Sequence, residues 1–173
     1  MPLVLESLWL IFFAIMYVMV RLELRRLKFN DGQVRAVKHF GTGYQALRDR
    51  QYAAAAEYFT RTIREGTPHL DVAYWLRAWA WFELGRIELA EADCQAAMAE
   101  NLYLTGPYAV RARMLARGGD WPAALEAIDY AIRLNPHDPE SYLLRAQLND
   151  RLAHPTRAEA DRARAAELIR VNS

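Results

Sequence analysis

The chain has 173 residues, a formal net charge of +1, 53% hydrophobic residues and one cysteine. That length suffices for one domain with its own core. The near-neutral balance argues against nucleic acid as a partner, which needs a basic face to displace counterions. The single cysteine excludes a disulfide framework and a cysteine-based metal site.

The first element is apolar. Residues 2–20, PLVLESLWLIFFAIMYVMV, hold one charge, Glu6. A helix over this run would rise roughly 27 Å, and carrying it through Leu22 and Leu24 passes about 30 Å, the hydrocarbon thickness of a bilayer. No basic residue precedes Arg21 and no small-residue cleavage site follows the run, as a signal peptide would require. An unbroken apolar run of this length is also uncommon as a buried core helix. The reading is a single transmembrane anchor, with residues 2–24 in contact with lipid.

Arg21, Arg25, Arg26, Lys28, Arg35 and Lys38 all follow the span. The positive-inside rule then places the N-terminus outside and the remainder in the cytoplasm, as in a bacterial inner membrane. The anchor and its basic juxtamembrane helix occupy 1–29. Asn30-Asp31-Gly32 is a helix-breaking run, which predicts a short linker over 30–35.

From there on the chain repeats. Ala55/Thr62, Ala90/Ala97, Ala124/Ala131 and Ala158/Ala165 are small-residue pairs of constant separation, their first members spaced 35, 34 and 34 apart. Gly43, Ala78, Ala112 and Ala146 form a second series with the same spacing, and Tyr74, Tyr108 and Tyr142 precede its last three members by four residues. Gly85 and Gly119 stand between paired helices, where a terminating residue belongs. Asp120-Trp121-Pro122 reads as an N-cap followed by proline in the first turn.

This pattern resembles the tetratricopeptide repeat. The unit carried by Tyr108, Ala112, Gly119, Trp121, Ala124, Ala131 and Pro136 fits best, and the last unit departs at Pro155 and Arg162, where aromatics are expected. With the anchor read from the apolar run, the resemblance implies an all-α chain: an N-terminal transmembrane helix, then about four antiparallel helix pairs stacked in a right-handed superhelix over 36–173. The units are about 36–70, 71–104, 105–138 and 139–172. Small residues let helix axes approach, and stacking buries faces that no pair can bury alone. Thr156 to Arg170 is charged around most of its circumference and reads as a solvating cap.

Arg77, Arg111 and Arg145 recur at a spacing of 34. They could form a basic ladder for an acidic ligand. The stronger reading is scaffold, because Asp93 and Asp161 lie 16 residues after Arg77 and Arg145, on the antiparallel helix of the same unit. The third unit has Ala127 at that position.

No enzyme is expected. His39, His69, His137 and His154 lack metal-ligand spacing. Cys94 lies on a packed face, and Gly41-Thr42-Gly43 is too short and too deep in a helix to cradle a phosphate. No catalytic residue, metal or cofactor is assigned.

The resemblance implies a concave face lined by the first helix of each unit, where members of the family bind peptides or helices. Trp75, Trp79 and Phe82 form a stripe rotated toward that face from the packing stripe Tyr74, Ala78 and Trp81. Phe40 and Tyr44 are the first unit's equivalents, and Arg113 stands in the third unit with Arg117 beside it. These seven residues are the candidate groove. Chaperone-binding members clamp a carboxylate with Lys and Asn at positions matching Phe40, Tyr44 and Leu76, so that activity is not carried over. The expected ligand is an apolar or amphipathic helix or peptide, with an acidic residue facing Arg113 or Arg117. Alternatively the chain's own packing covers Trp75 and Trp79.

Two functions follow: a membrane-anchored module that recruits or assembles a partner protein, or a stoichiometric structural subunit of a larger membrane complex.

Overall fold

A computed structural model describes residues 16–19, 21 and 31–171. The predicted membrane span falls almost entirely outside these residues. Among the described residues no helix is long and apolar enough to cross a membrane, and none is in a strand.

The first helix, α1, covers 31–48. It is followed by α2 (Tyr52–Glu65), α3 (Leu70–Glu83), α4 (Ile87–Glu100), α5 (Thr105–Arg117), α6 (Trp121–Leu134), α7 (Pro139–Arg151) and α8 (Pro155–Val171). The expected linker over 30–35 is helical from 31 onward. The reason is tertiary. Gly32 is buried at the end of α2, close enough that an added Cβ would lie 3.4 Å from the Glu65 carbonyl oxygen. Arg35 also donates to Glu65 at 2.9 Å.

The helices pair as α1/α2, α3/α4, α5/α6 and α7/α8, and one turn closes every pair. In each turn an N–H reaches back to a carbonyl five residues earlier: Gln51 to Ala46, Arg86 to Trp81, Asp120 to Leu115 and His154 to Asn149, all within 2.8–3.0 Å. This geometry requires a left-handed residue just before the donor. Gly85 and Gly119 supply it in the middle pairs; Arg50 and Ala153 supply it at φ 58° and 57° in the outer pairs. A side chain in that conformation costs about 1–2 kcal/mol. Ala153→Gly is therefore expected to stabilise the chain by about 0.5–1 kcal/mol, net of glycine's entropy cost. A thermal melt checks this, and an unchanged or lower midpoint would contradict it.

Caps set the later helix starts. The Asp120 carboxylate accepts from Ala123 N–H at 3.2 Å, and Asp138 accepts from the N–H groups of Glu140 and Ser141 at 3.2 Å. Tyr108 and Tyr142 donate to the carbonyls of Leu102 and Pro136, each six residues earlier, tying the connecting loop to the helix that follows it.

The core lies in three clusters, each joining a pair to the first helix of the next. The first packs Ala46, Ala55, Ala56 and Phe59 against Leu76 and Ala80. The second packs Ala78, Phe82, Ala90 and Cys94 against Val110 and Met114. The third packs Ala112, Ala124, Ile128 and Ala131 against Leu144 and Leu148. Ala55, Ala90, Ala124 and Ala158 are fully buried, as close axis approach requires.

Candidate partner-binding groove

The first helices of the pairs line a groove with two compartments. The first, a cavity of about 410 Å³, has Leu47, Trp75, Leu76, Trp79, Ala109 and Leu144 as its apolar wall. The second, about 660 Å³, takes in Phe82, Ala116, Arg117, Trp121, Leu148 and Arg151. Arg113 and Leu144 border both.

Trp75 is half-buried, and its indole lies across the first turn of α5. A Cβ built on Gly106 would sit 2.0 Å from Trp75 Cε2, so only glycine admits the ring there. Trp79 carries the Arg113 guanidinium over its ring at 5.1 Å and meets the Phe82 ring at 6.2 Å. Phe82 is itself a core residue, only 6% exposed. Arg117 covers the Phe82 ring at 4.0 Å and donates through Nη1 to the Phe82 carbonyl at 2.8 Å. It thereby caps the negative end of α3.

Arg113 is placed differently. Its Nε is buried with no hydrogen-bond partner among the described residues. Burial pushes its pKa below the ordinary arginine value, and the carboxylates of Glu140 and Glu83 only partly oppose this.

Phe40 and Tyr44 do not line either compartment. Phe40 turns to α2 and meets Phe59 edge-on at 5.8 Å, while Tyr44 is exposed on α1. The close approach of α1 to α2 explains this, since a Cβ on Gly43 would lie 3.1 Å from both Phe59 and Tyr58. From α1 it is Leu47 that reaches the groove. Gly106 and Leu144, which the sequence reading does not place in the groove, also line the first compartment. The run Thr105-Gly106-Pro107, an unexpected glycine in a helix's first turn, was the one available signal.

The recurring arginines are scaffold in two units. Arg77 grips Asp93 with Nε and Nη2, both at 2.7 Å, and donates to Thr60 Oγ1 on the preceding pair at 3.0 Å. Arg145 does the same with Asp161 at 3.0 and 2.6 Å, and reaches back to Asp129 at 2.8 Å. Each therefore bridges consecutive pairs. Arg111, whose unit has Ala127 where the other two have Asp, approaches Glu91 at 3.6 Å.

Cys94 is fully buried, and burial with help from Glu91 and Asp93 pushes its thiol up to about 12. That disfavours the thiolate a nucleophile or metal ligand needs. Among the described residues no cluster of histidine, cysteine or carboxylate side chains could hold a metal ion.

The sequence matches the tetratricopeptide repeat family over residues 40–101 and 110–169. The chain belongs to that family. Its helix pairs, left-handed turns and buried alanines are those of tetratricopeptide units. No curated protein matches the sequence. Among solved structures, a thermophilic tetratricopeptide protein of Thermus thermophilus is similar at 24% identity and TM-score 0.70, over 77% of this chain and 74% of that one. MamA is similar at 18% identity and TM-score 0.62, over 79% and 80%. The first tetratricopeptide domain of Spaghetti (RPAP3), solved with the HSP90 peptide SRMEEVD bound, is similar at 23% identity and TM-score 0.60, over 70% and 95%. At these identities the likeness is one of fold. Tetratricopeptide proteins are in general non-enzymatic scaffolds, and protein interaction is their common use.

Proposed function

We propose that this chain is a membrane-anchored tetratricopeptide module that holds a segment of a partner protein in its concave groove, at the cytoplasmic face of a membrane. The observation that carries the binding role is the lined cavity of about 410 Å³, where Trp75 and Trp79 stay only half-buried beside Arg113. Aromatic side chains at the edge of a concave apolar site, with a few fixed polar groups, suit a peptide or an amphipathic helix. The peptide seen on the RPAP3 domain supports this use of the fold. The anchor over residues 2–24 rests on the apolar run and the basic residues after it.

Photo-crosslinking in intact membranes tests the reading. A crosslinker at Ala109, in the groove, is expected to capture a discrete protein band that one at Glu126, on α6, does not. Trp79→Ala should reduce that band by about tenfold, the loss typical of an interface hot spot. Equal capture from both positions would remove the groove assignment. Release of the chain from membranes by alkaline carbonate would remove the anchor.

A further inference from the structure

We propose that Arg113 anchors one side-chain carboxylate of an internal protein segment, and that the residues on the first-compartment side of this carboxylate are apolar or neutral. The proposal rests on the groove reading above and specifies what the groove selects.

Three observations carry it. First, Arg113 borders both compartments, so a segment running from one to the other passes over it. Its guanidinium is held above the Trp79 ring at 5.1 Å, which fixes where the charge is offered. Second, the half-buried Arg113 guanidinium carries no hydrogen bond or ion pair among the described residues, with Glu140 and Glu83 acting on it only through longer-range charge, whereas Arg117 is engaged with the Phe82 carbonyl at 2.8 Å and Arg151 is exposed. A half-buried guanidinium gains more from an anion than an exposed one, because less water competes.

Third, carboxylates flank Arg113 on both sides. Asp138 and Glu140 line the first compartment, and Glu83 and Asp150 the second. Asp138 caps α7 and Asp150 pairs with Arg162, so neither turns to Arg113. On the side of the first compartment a second acidic residue would meet like charge, whereas in the second Arg117 and Arg151 balance Glu83 and Asp150. An acid that would fall in the first compartment is therefore rejected, and an apolar or neutral residue there is accepted. The half-buried Trp75 and Trp79 take the apolar residue on one side, and Trp121 is the half-buried aromatic on the other. The anion comes from a side chain and not a C-terminus, because the groove continues past Arg113 in both directions.

The test uses the full chain in detergent micelles, and random peptides of about twelve residues displayed with both ends blocked. Selected sequences are expected to share one Asp or Glu with large apolar neighbours. Changing that Glu to Gln in a selected peptide should weaken binding to the wild type by at least about tenfold, the scale of a close charge pair. It should change little on Arg113→Met, and should still weaken binding to Arg117→Met. Arg113→Met removes a buried charge while keeping the stem, so an unchanged or raised melting temperature separates lost binding from lost folding.

Selected peptides with no acid, with acids on both sides of the anchoring one, or with equal Glu-to-Gln losses on wild type and Arg113→Met would overturn the proposal and leave the groove reading standing. No enriched peptide, or binding indifferent to Trp79→Ala, would overturn both. A dimer dispersed by Trp79→Ala would assign the groove to a second copy, and binding seen only after removal of residues 1–30 would assign it to the chain's own N-terminal segment. Either result overturns the proposal.

Discussion

Gly106→Ala is expected to destabilise the chain by about 1–3 kcal/mol, as overpacking does. The sign is what makes this informative. Glycine to alanine in a helix ordinarily stabilises by up to about 1 kcal/mol. Here the new Cβ would lie 2.0 Å from Trp75 Cε2, 2.3 Å from Nε1 and 2.4 Å from Cδ2, so the indole must leave its place. Trp75 packs with both the first and second core clusters, so its displacement disturbs the seam between two pairs. Chemical denaturation measures the loss. Trp75→Leu in the same chain should recover part of it, giving a coupling between the two positions. A Gly106→Ala protein as stable as wild type would show that α3 and α5 are not seated as described.

The second large effect concerns Arg77. The Asp93 side chain is 8% exposed and that of Arg77 18%, so the pair is well shielded from water. Arg77→Met would leave the Asp93 carboxylate buried without its two guanidinium bonds, and the Thr60 hydroxyl without its donor. Breaking a buried pair from one side costs about 3–5 kcal/mol, whereas replacing both partners with apolar residues is often neutral. The expected order is therefore Arg77→Met far below wild type, with Arg77→Met/Asp93→Leu well above the single variant. Arg111→Met is the internal control. Its side chain is 47% exposed and only approaches Glu91, so its loss should stay within about 0.5 kcal/mol. Urea denaturation of the four proteins decides. A double variant as unstable as Arg77→Met, or an Arg77→Met no worse than Arg111→Met, would contradict the scaffold role.

These two cases differ in how far they were legible beforehand. The Arg77–Asp93 pair could be read from sequence, because a 16-residue separation across one helical hairpin returns the chain to the same level. Arg145–Asp161 repeats it for the same reason. The second bond of each arginine, back to Thr60 or Asp129, crosses between pairs, which the spacing within one hairpin does not set. The Gly106–Trp75 contact also crosses between pairs. Trp75 could be assigned to a stripe, but not what lies under its ring.

The groove shows the same division. The stripe residues Trp75, Trp79 and Phe82 on α3 line the two compartments, as do their equivalents Ala109, Arg113 and Ala116 on α5. On α1 the register gave out: Phe40 and Tyr44 sit away from the cavity and Leu47 reaches it. Arg113 and Arg117 looked interchangeable as a basic edge. Only their surroundings separate a cation bonded to the end of α3 from one with an unpartnered Nε.

The sequence by itself determined the repeat, the pairing of helices within each unit, the glycine turns that close the two middle pairs and the ion pairs inside a hairpin. All of these follow from helical period and short chain separation, which set geometry locally. Tertiary structure decided which stripe residues meet in one cavity, why position 106 must be glycine, and which arginine is left with capacity to spare. Those depend on how one helix pair rotates against the next. Packed side chains from several units set that rotation together, and no single unit's pattern contains it.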